Sequence, residues 1–184
     1  MFFIFLFILL VILLIVLSFV WPPDSPWAPQ WRIKRSVSQT ALQFAKVNSK
    51  DIVYELGCGD GEFTLTAAEE FGAKAVGIEI DPVRFLVSWV RAKLSKSNTD
   101  ISIIRKDFKK VDLANATVIY MYLIPLAMKR LLPQLKKQLN SGTRVISYRY
   151  KIPLSQNEKT IQLVKEEKKE KIFLYTVNQN TEKD

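Results

Sequence analysis

Residues 51–63 read Asp51-Ile-Val-Tyr-Glu-Leu-Gly-Cys-Gly-Asp-Gly-Glu-Phe63, and they organise the rest of the chain. The β-branched and aromatic residues at 52–54 are typical of a buried strand, and glycines follow at positions 57, 59 and 61. Apolar residues at helical spacing then run from Phe63 to Phe71. A strand, a glycine turn and a helix form the opening unit of a nucleotide-binding α/β sheet. The free N–H groups that begin such a helix face whatever ligand occupies the turn.

The residues around the turn discriminate between nucleotide ligands. A dinucleotide fingerprint has the spacing G-x-G-x-x-G, whereas the third glycine here comes one residue early and Glu62 takes the expected position. Glu55 lies at the carboxyl end of the strand, where a carboxylate would repel a pyrophosphate but suits a positively charged ligand. S-adenosylmethionine carries a sulfonium, an amino group and no phosphate. The alternative is a glycine-rich turn in a domain without a cofactor.

Two further strand ends support S-adenosylmethionine. The second predicted strand ends in Glu79, which is placed to accept both ribose hydroxyls. The third, Ile101 to Ile104, ends near Asp107 and Phe108, a carboxylate and a ring that suit the adenine. Three acids at three successive strand ends thus match three parts of one ligand. The predicted cofactor-binding residues are Glu55, Gly57, Gly59, Asp60, Gly61, Glu79, Ile80, Asp107 and Phe108.

These motifs carry a family resemblance. Glu55-Leu-Gly-Cys-Gly-Asp-Gly61 and Gly77-Ile-Glu-Ile-Asp81 resemble the class I, seven-strand S-adenosylmethionine-dependent methyltransferases. From about Pro26 to Pro153 the chain is similar to a small membrane-anchored group related to the lysine methyltransferases of the adenine nucleotide translocase and the ATP synthase c-subunit. Further matching segments are Pro26-Trp-Ala-Pro29, Tyr122-Leu-Ile-Pro125 and Gly142-Thr-Arg-Val-Ile-Ser-Tyr148.

The resemblance implies a fold and an activity. The expected fold is α/β, a Rossmann-like seven-strand sheet with helices on both faces and the seventh strand inserted antiparallel. The expected enzyme transfers a methyl group from S-adenosylmethionine to a protein lysine. Glu62 departs from the family pattern, since relatives often have arginine there, and it adds negative charge near the cofactor.

Composition limits the other chemistries. The 184 residues include one cysteine and no histidine, so neither a disulfide framework nor a Ser-His site is available, and no metal site is predicted. Cys58 is interpreted as a small residue that fits the glycine turn, with a nucleophilic role as the alternative.

The first twenty residues contain one polar residue, Ser18, and no charge. A helix of that length spans about 30 Å, the thickness of a bilayer core. A signal peptide would require a basic start and a small-x-small cleavage site, and both are missing. We therefore predict a transmembrane anchor at 1–21, a Pro/Trp-rich connector at 22–31 and a methyltransferase domain at 32–184. Basic residues follow the apolar segment, which predicts a single-pass membrane protein with its catalytic domain in the cytoplasm.

Two predicted helices flank the glycine unit. Arg32 to Val47 is expected to be amphipathic and to cover either the cofactor cleft or one sheet edge. Asp81-Pro82 is expected to begin a helix that runs to about Leu94. Its apolar residues are expected to face the sheet: Phe85, Leu86, Trp89, Val90 and Ala92.

The predicted acceptor side lies at the ends of the fourth and fifth strands. Tyr120 and Tyr122 are expected to approach the transferable methyl group, with plain core packing as the alternative for Tyr122. The resemblance implies that Tyr122 forms a wall of the channel that admits the lysine. An aromatic channel favours a neutral amine by desolvation and accommodates a cationic transition state. Tyr148 and Arg149 are candidates for the rim that touches the substrate.

The net charge of +9 leaves two kinds of partner to weigh. Nucleic acid is one, but the charges are expected to scatter over several faces, and an anionic membrane surface is preferred because the predicted anchor already places the domain there. The fourth predicted strand lacks an Asp-Pro-Pro-Tyr signature, which disfavours methylation of adenine or of a glutamine amide. Two other functions stay open, namely methylation of a small membrane-soluble acceptor such as a lipid or quinone, and a non-catalytic cofactor-binding membrane protein.

Overall fold

The computed structural model describes residues 1–20 and 32–178, without the side chains of residues 18–20. The predicted connector lies outside the described residues. The strands are β1 (Ile52–Leu56), β2 (Lys74–Glu79), β3 (Ile101–Arg105), β4 (Val118–Met121), β5 (Arg144–Tyr148), β6 (Ile161–Glu167) and β7 (Ile172–Val177). The helices are α1 (Phe2–Val20), α2 (Arg35–Phe44), α3 (Glu62–Phe71), α4 (Pro82–Leu94) and α5 (Pro125–Gln138).

The described strands form one sheet in the order β3-β2-β1-β4-β5-β7-β6. The first five strands pair in parallel, and β7 pairs antiparallel with both β5 and β6. The strand order therefore reverses between β1 and β4, which is where an open α/β sheet binds its ligand. The predicted seven-strand Rossmann-like sheet with an inserted antiparallel strand is confirmed.

Hydrophobic side chains pack on both faces of the sheet. One cluster joins α2 and α3 to the sheet through residues such as Leu42, Phe63 and Val118. The other joins α5 to the opposite face through residues such as Met128, Leu131 and Ile119. The central strands contribute to both clusters because successive side chains of a strand point to opposite faces.

Helix α2 is shorter than predicted. It begins at Arg35, because Lys34 keeps an extended backbone, and Ala45 is its carboxyl cap. Helix α4 begins as predicted, since the Asp81 carboxylate accepts hydrogen bonds from the backbone N–H groups of Val83 and Arg84.

The predicted burial of α4 is partly wrong. Leu86, Trp89 and Val90 were expected to face the sheet, yet they are 56%, 41% and 40% exposed. Ser88 is buried instead and lies against the glycine turn. Helix α4 rests on the edge strand β3 and on its neighbour β2.

The side chains of helix α1 are apolar and exposed from Phe2 to Leu17, which is the last residue of this helix whose side chain is described. Among the described residues, no helix is both long enough and apolar enough to cross a membrane. The predicted membrane-spanning anchor at 1–21 therefore finds no support in this part of the chain.

Candidate active site

The glycine turn leaves room where a cofactor would lie. Gly57, Gly59 and Gly61 all have left-handed backbones, with φ of 82°, 56° and 79°. A Cβ atom added at Gly57 or Gly59 would meet no atom within 4 Å. The turn is held from the other side, since the backbone N–H groups of Gly57 and Cys58 both donate to the Ile78 carbonyl at 2.9 Å. A ligand can thus approach the backbone closely at both glycines.

Two other glycines are required by packing. A Cβ at Gly61 would lie 3.1 Å from the Ser88 Cβ, and one at Gly77 would lie 2.9 Å from the Cys58 Sγ. The missing side chain of Gly61 therefore lets α4 pack closely against the glycine turn. The missing side chain of Gly77 lets the glycine turn pack closely against β2.

Glu79 joins the ends of β1 and β2. Its Oε2 accepts from the Gly59 N–H at 2.8 Å, and its Oε1 accepts from the N–H groups of Ile80 and Asp81 at 2.9 Å each. A carboxylate has about four acceptor positions, so roughly one remains, on Oε2. Glu79 is held rigidly beside the glycine turn and can receive one further donor without rearrangement.

Glu55 is buried beneath the first turn of α3. Its Oε2 accepts from the Thr64 N–H at 2.9 Å and from the Thr64 hydroxyl at 2.5 Å. Burial raises the pKa of Glu55 to about 8, which the hydrogen bonds of Thr64 oppose and the nearby charges of Asp60 and Glu79 reinforce. Its carboxyl group is therefore mostly protonated at neutral pH, whereas the sequence suggested a charged group.

Arginines neutralise the acids around the turn. Arg91 donates to the Glu62 carboxylate at 2.6 Å and lies 3.3 Å from that of Asp60. Arg35, from α2, reaches Glu62 at 3.5 Å, and Arg32 lies 3.4 Å from Asp60. The negative charge that Glu62 adds near the turn is thus compensated locally, and α2 is fastened to the glycine turn.

Cys58 behaves as a packing residue. Its side chain is buried, and burial raises the pKa of its thiol well above the ordinary value. The thiolate required of a nucleophile is therefore disfavoured.

The predicted adenine side lies beside Glu79. The Lys106 N–H donates to the Glu79 carbonyl at 3.1 Å, which brings the end of β3 next to that of β2. Asp107 caps the 3₁₀ turn Phe108–Lys110, and Ile80 is 63% exposed. The structure thus brings Ile80 and Asp107 to neighbouring strand ends.

The two predicted tyrosines of β4 and its end lie in different environments. Tyr120 is 1% exposed, and its ring stacks on that of Phe63 at a centroid distance of 3.6 Å. Within the described residues its hydroxyl group has no hydrogen-bond partner. Tyr120 therefore lies below the surface, under α3, and its ring supports the site from the core.

Tyr122 is half-buried at the carboxyl end of the sheet. Its ring meets that of Tyr148 edge to face at 4.8 Å. The Arg149 guanidinium lies 6.0 Å from the Tyr122 ring centre and 5.8 Å from that of Tyr148. The structure thus unites the predicted channel residue with both predicted rim residues in an aromatic cluster that already attracts a cation.

Sequence reasoning missed the residues that hold the predicted ones in place. Thr64 binds Glu55, Phe63 stacks on Tyr120, and Arg91 pairs with Glu62 across 29 residues. Phe63 and Thr64 lie at the start of a predicted helix, so their position near the glycine turn could be predicted. The pairing of Arg91 depends on tertiary structure and has no local signal.

Comparison with known proteins identifies the family of this chain. The sequence profile of the ANTKMT methyltransferase domain matches residues 55–159, more than half of the chain. The chain belongs to this family. It is a class I methyltransferase whose cofactor is S-adenosylmethionine, and the predicted recognition is confirmed.

Individual relatives of the methyltransferase extend the match. A protein-lysine N-methyltransferase of Saccharolobus islandicus is 33% identical over 159 residues, which cover 86% of this chain and 97% of that protein. A mouse adenine nucleotide translocase lysine N-methyltransferase is 33% identical over 54% of this chain and 43% of its own length. A solved RNA methyltransferase of Salinibacter ruber, in complex with S-adenosyl-L-homocysteine, is 28% identical with a TM-score of 0.72, and the match covers 84% of this chain and 98% of that one.

Proposed function

We propose that this methyltransferase transfers methyl groups to lysine side chains of proteins. The observation that carries the proposal is its 33% identity to the Saccharolobus protein-lysine N-methyltransferase over nearly the full length of that protein. The aromatic cluster of Tyr122, Tyr148 and Arg149 at the carboxyl end of the sheet supports it.

The glycine turn and Glu79 would hold the cofactor. The open space at Gly57 and Gly59 admits a ligand against the backbone, and the remaining acceptor position of Glu79 suits a ribose hydroxyl. Ile80, Asp107 and Phe108 would bind the adenine. Glu55, Asp60 and Gly61 would complete the site, with Glu55 beneath the turn as a carboxyl group that ionises when a positive charge comes close.

When bound, S-adenosylmethionine supplies an activated methyl group. The acceptor must present a neutral amine, because the lone pair of the nitrogen forms the new bond. Tyr122 and Tyr148 would surround the lysine side chain, exclude water and thereby lower the pKa of its ammonium group, so that the proton leaves to solvent. Their ring faces would also stabilise positive charge on the nitrogen as the bond forms. The Arg149 guanidinium beside the rings raises the electrostatic cost of an ammonium there, which favours the neutral amine further.

The acceptor class is tested by product analysis. The purified full chain is incubated with methyl-labelled S-adenosylmethionine and either a membrane fraction or a soluble fraction. We expect label in protein, released as methyllysine after acid hydrolysis. Label that partitions into organic solvent would indicate a lipid or quinone acceptor instead. Cofactor binding in calorimetry without label in any fraction would indicate a non-catalytic protein.

Methylation of RNA is a second candidate function. It is favoured by the similarity to the Salinibacter RNA methyltransferase, which is 28% identical over 84% of this chain, and by the net charge of +9. The same incubation separates the two, since a nuclease would remove the label from RNA and a protease would remove it from protein.

We also propose that α1 attaches the enzyme to a membrane, with the catalytic domain on the cytoplasmic side. Its described side chains, from Phe2 to Leu17, are all apolar and exposed to solvent, and the helix has no charged residue. The full chain should float with lipid vesicles in a density gradient, whereas a chain lacking residues 2–20 should stay at the bottom. Equal sedimentation of both would refute the attachment.

A further inference from the structure

A pocket of about 360 Å³ opens beside the aromatic cluster. One wall comes from the end of β5 and consists of Tyr148, Arg149 and Tyr150, and the other comes from the turn between β6 and β7, with Lys169, Glu170 and Lys171. The Arg149 N–H donates to the Lys171 carbonyl at 2.8 Å, so the two walls are tied together. The pocket is thus a fixed part of the sheet end.

The charge of this pocket is not compensated. Three cations, Arg149, Lys169 and Lys171, face one carboxylate, that of Glu170. In the described part of the chain, none of the three lies within ion-pair distance of a carboxylate. Four arginines in other parts of the chain pair with acids, namely Arg32, Arg35, Arg91 and Arg144. The pocket therefore attracts anions.

The backbone at the pocket is also held in an unfavourable conformation. Arg149 and Lys171 have φ of 65° and 54°, a left-handed conformation that costs about 1 kcal/mol or more for a residue with a Cβ. A turn selected for stability alone would place glycine or asparagine there. Both positions nevertheless carry cationic side chains that line the pocket, and such backbone outliers are often found at binding sites.

The pocket shares Tyr148 and Arg149 with the aromatic cluster. Tyr148 contacts the ring of Tyr122, and Arg149 lies over both rings. A protein segment whose lysine entered the aromatic cluster would therefore place its neighbouring residues at the pocket. We propose that this pocket binds acidic side chains that flank the target lysine, so that the enzyme prefers lysines in acidic sequence. This inference rests on the proposed lysine methylation.

Peptide kinetics with pocket variants test the inference. One synthetic peptide has a single central lysine with glutamates on both sides, and its partner has glutamines there. The pocket variant is Lys169→Gln with Lys171→Asn, since asparagine tolerates the left-handed backbone. The control variant, Lys165→Gln with Lys168→Gln, removes the same charge from exposed residues of the same hairpin that do not line the pocket.

We expect the full chain to have a KM about fivefold lower for the glutamate peptide than for the glutamine peptide. The preference should vanish in the pocket variant, persist in the control variant and weaken at high salt, with kcat unchanged. The inference would be overturned if the two peptides had equal KM values, or if the pocket and control variants lost the preference for the glutamate peptide equally. Either result would leave lysine methylation standing.

A binding measurement keeps the inference testable if no lysine is methylated. A fluorescent, lysine-free glutamate peptide should bind the full chain and the control variant and should bind the pocket variant about fivefold more weakly. Equal binding to all three would overturn the inference independently of activity. The pocket variant could instead bind phosphatidylglycerol vesicles more weakly than the control variant does, while both variants bind the peptide equally. That result would overturn the inference in favour of a lipid headgroup.

Discussion

The two ends of the site manage charge in opposite ways. At the glycine turn, Asp60 and Glu62 each pair with two arginines, and Glu79 accepts three backbone hydrogen bonds. At the aromatic cluster, Arg149, Lys169 and Lys171 form no ion pair with a carboxylate among the described residues. The cofactor is the same molecule in every reaction, and the charges of the region proposed to bind it are already paired. A protein substrate can vary in sequence, and the cations of the region proposed to bind it form no ion pair in the part of the chain that the structure describes.

The largest expected effect comes from breaking the glycine turn. In Gly59→Arg, the side chain would fill the space for the cofactor, and methyl transfer should fall by at least about 100-fold. Gly142→Arg is the matched control, since Gly142 also has a left-handed backbone, with φ of 86°, and no atom within 4 Å of an added Cβ, but precedes β5 at the opposite end of the sheet. Activity and cofactor affinity by calorimetry should separate the two variants. A fully active Gly59→Arg enzyme would contradict the cofactor site.

The second effect is a pH dependence of stability that arises from Glu55. Its pKa is about 8 in the folded protein and is near its ordinary, much lower value when unfolded. The folded state therefore binds more protons between these values, so stability decreases as pH rises from about 5 to about 8, by up to about 1.4 kcal/mol per pH unit. The sequence has no histidine, which makes this window unusually free of other titrations.

Urea unfolding of the wild type and Glu55→Gln across this pH range measures the effect. The difference in unfolding free energy between the two proteins should grow in favour of the variant as pH rises. Parallel pH profiles would mean that Glu55 keeps an ordinary pKa in the folded state.

A third effect sharpens the role of the aromatic cluster. Tyr122→Ala removes the ring that Tyr148 and Arg149 contact, and we expect kcat/KM for lysine methylation to fall about tenfold, with cofactor affinity unchanged. Tyr122→Phe keeps the ring and should stay within about twofold of wild type. Equal loss in both variants would assign the contribution to the hydroxyl group instead.

The smallest expected effect concerns Tyr120, which is buried on β4. Tyr120 has a fully buried hydroxyl without a hydrogen-bond partner in the described structure, so Tyr120→Phe should leave stability unchanged or raise it by about 1 kcal/mol. Thermal unfolding measures this. A loss of more than about 1 kcal/mol would show that the hydroxyl group binds a partner such as a buried water.

The sequence was sufficient for features that depend on local chemistry. The strand before Gly57, the helix that ends at Phe71 and the cap at Asp81 could be predicted, because glycine, capping and periodicity patterns act over a few residues. The seven-strand order and the inserted strand came from the family resemblance.

Features that depend on contacts between elements distant in sequence could not be predicted. Leu86 and Val90 are apolar and helical in period, yet whether they are covered depends on an element that the described structure does not provide. The compensation of Glu62 requires Arg35 and Arg91 from two other helices. Tyr120 and Tyr122 look equivalent in sequence, and their different depths follow from the end of β4 at Met121.

The position of β7 has a consequence for biosynthesis. This strand is the last of the described chain to be made, yet it lies between β5 and β6 and bonds to both. On the ribosome, the residues proposed to hold the cofactor emerge before those of the proposed acidic-segment pocket. The pairing of β5 with β7, and with it the wall of that pocket, can therefore form only after β7 has left the exit tunnel.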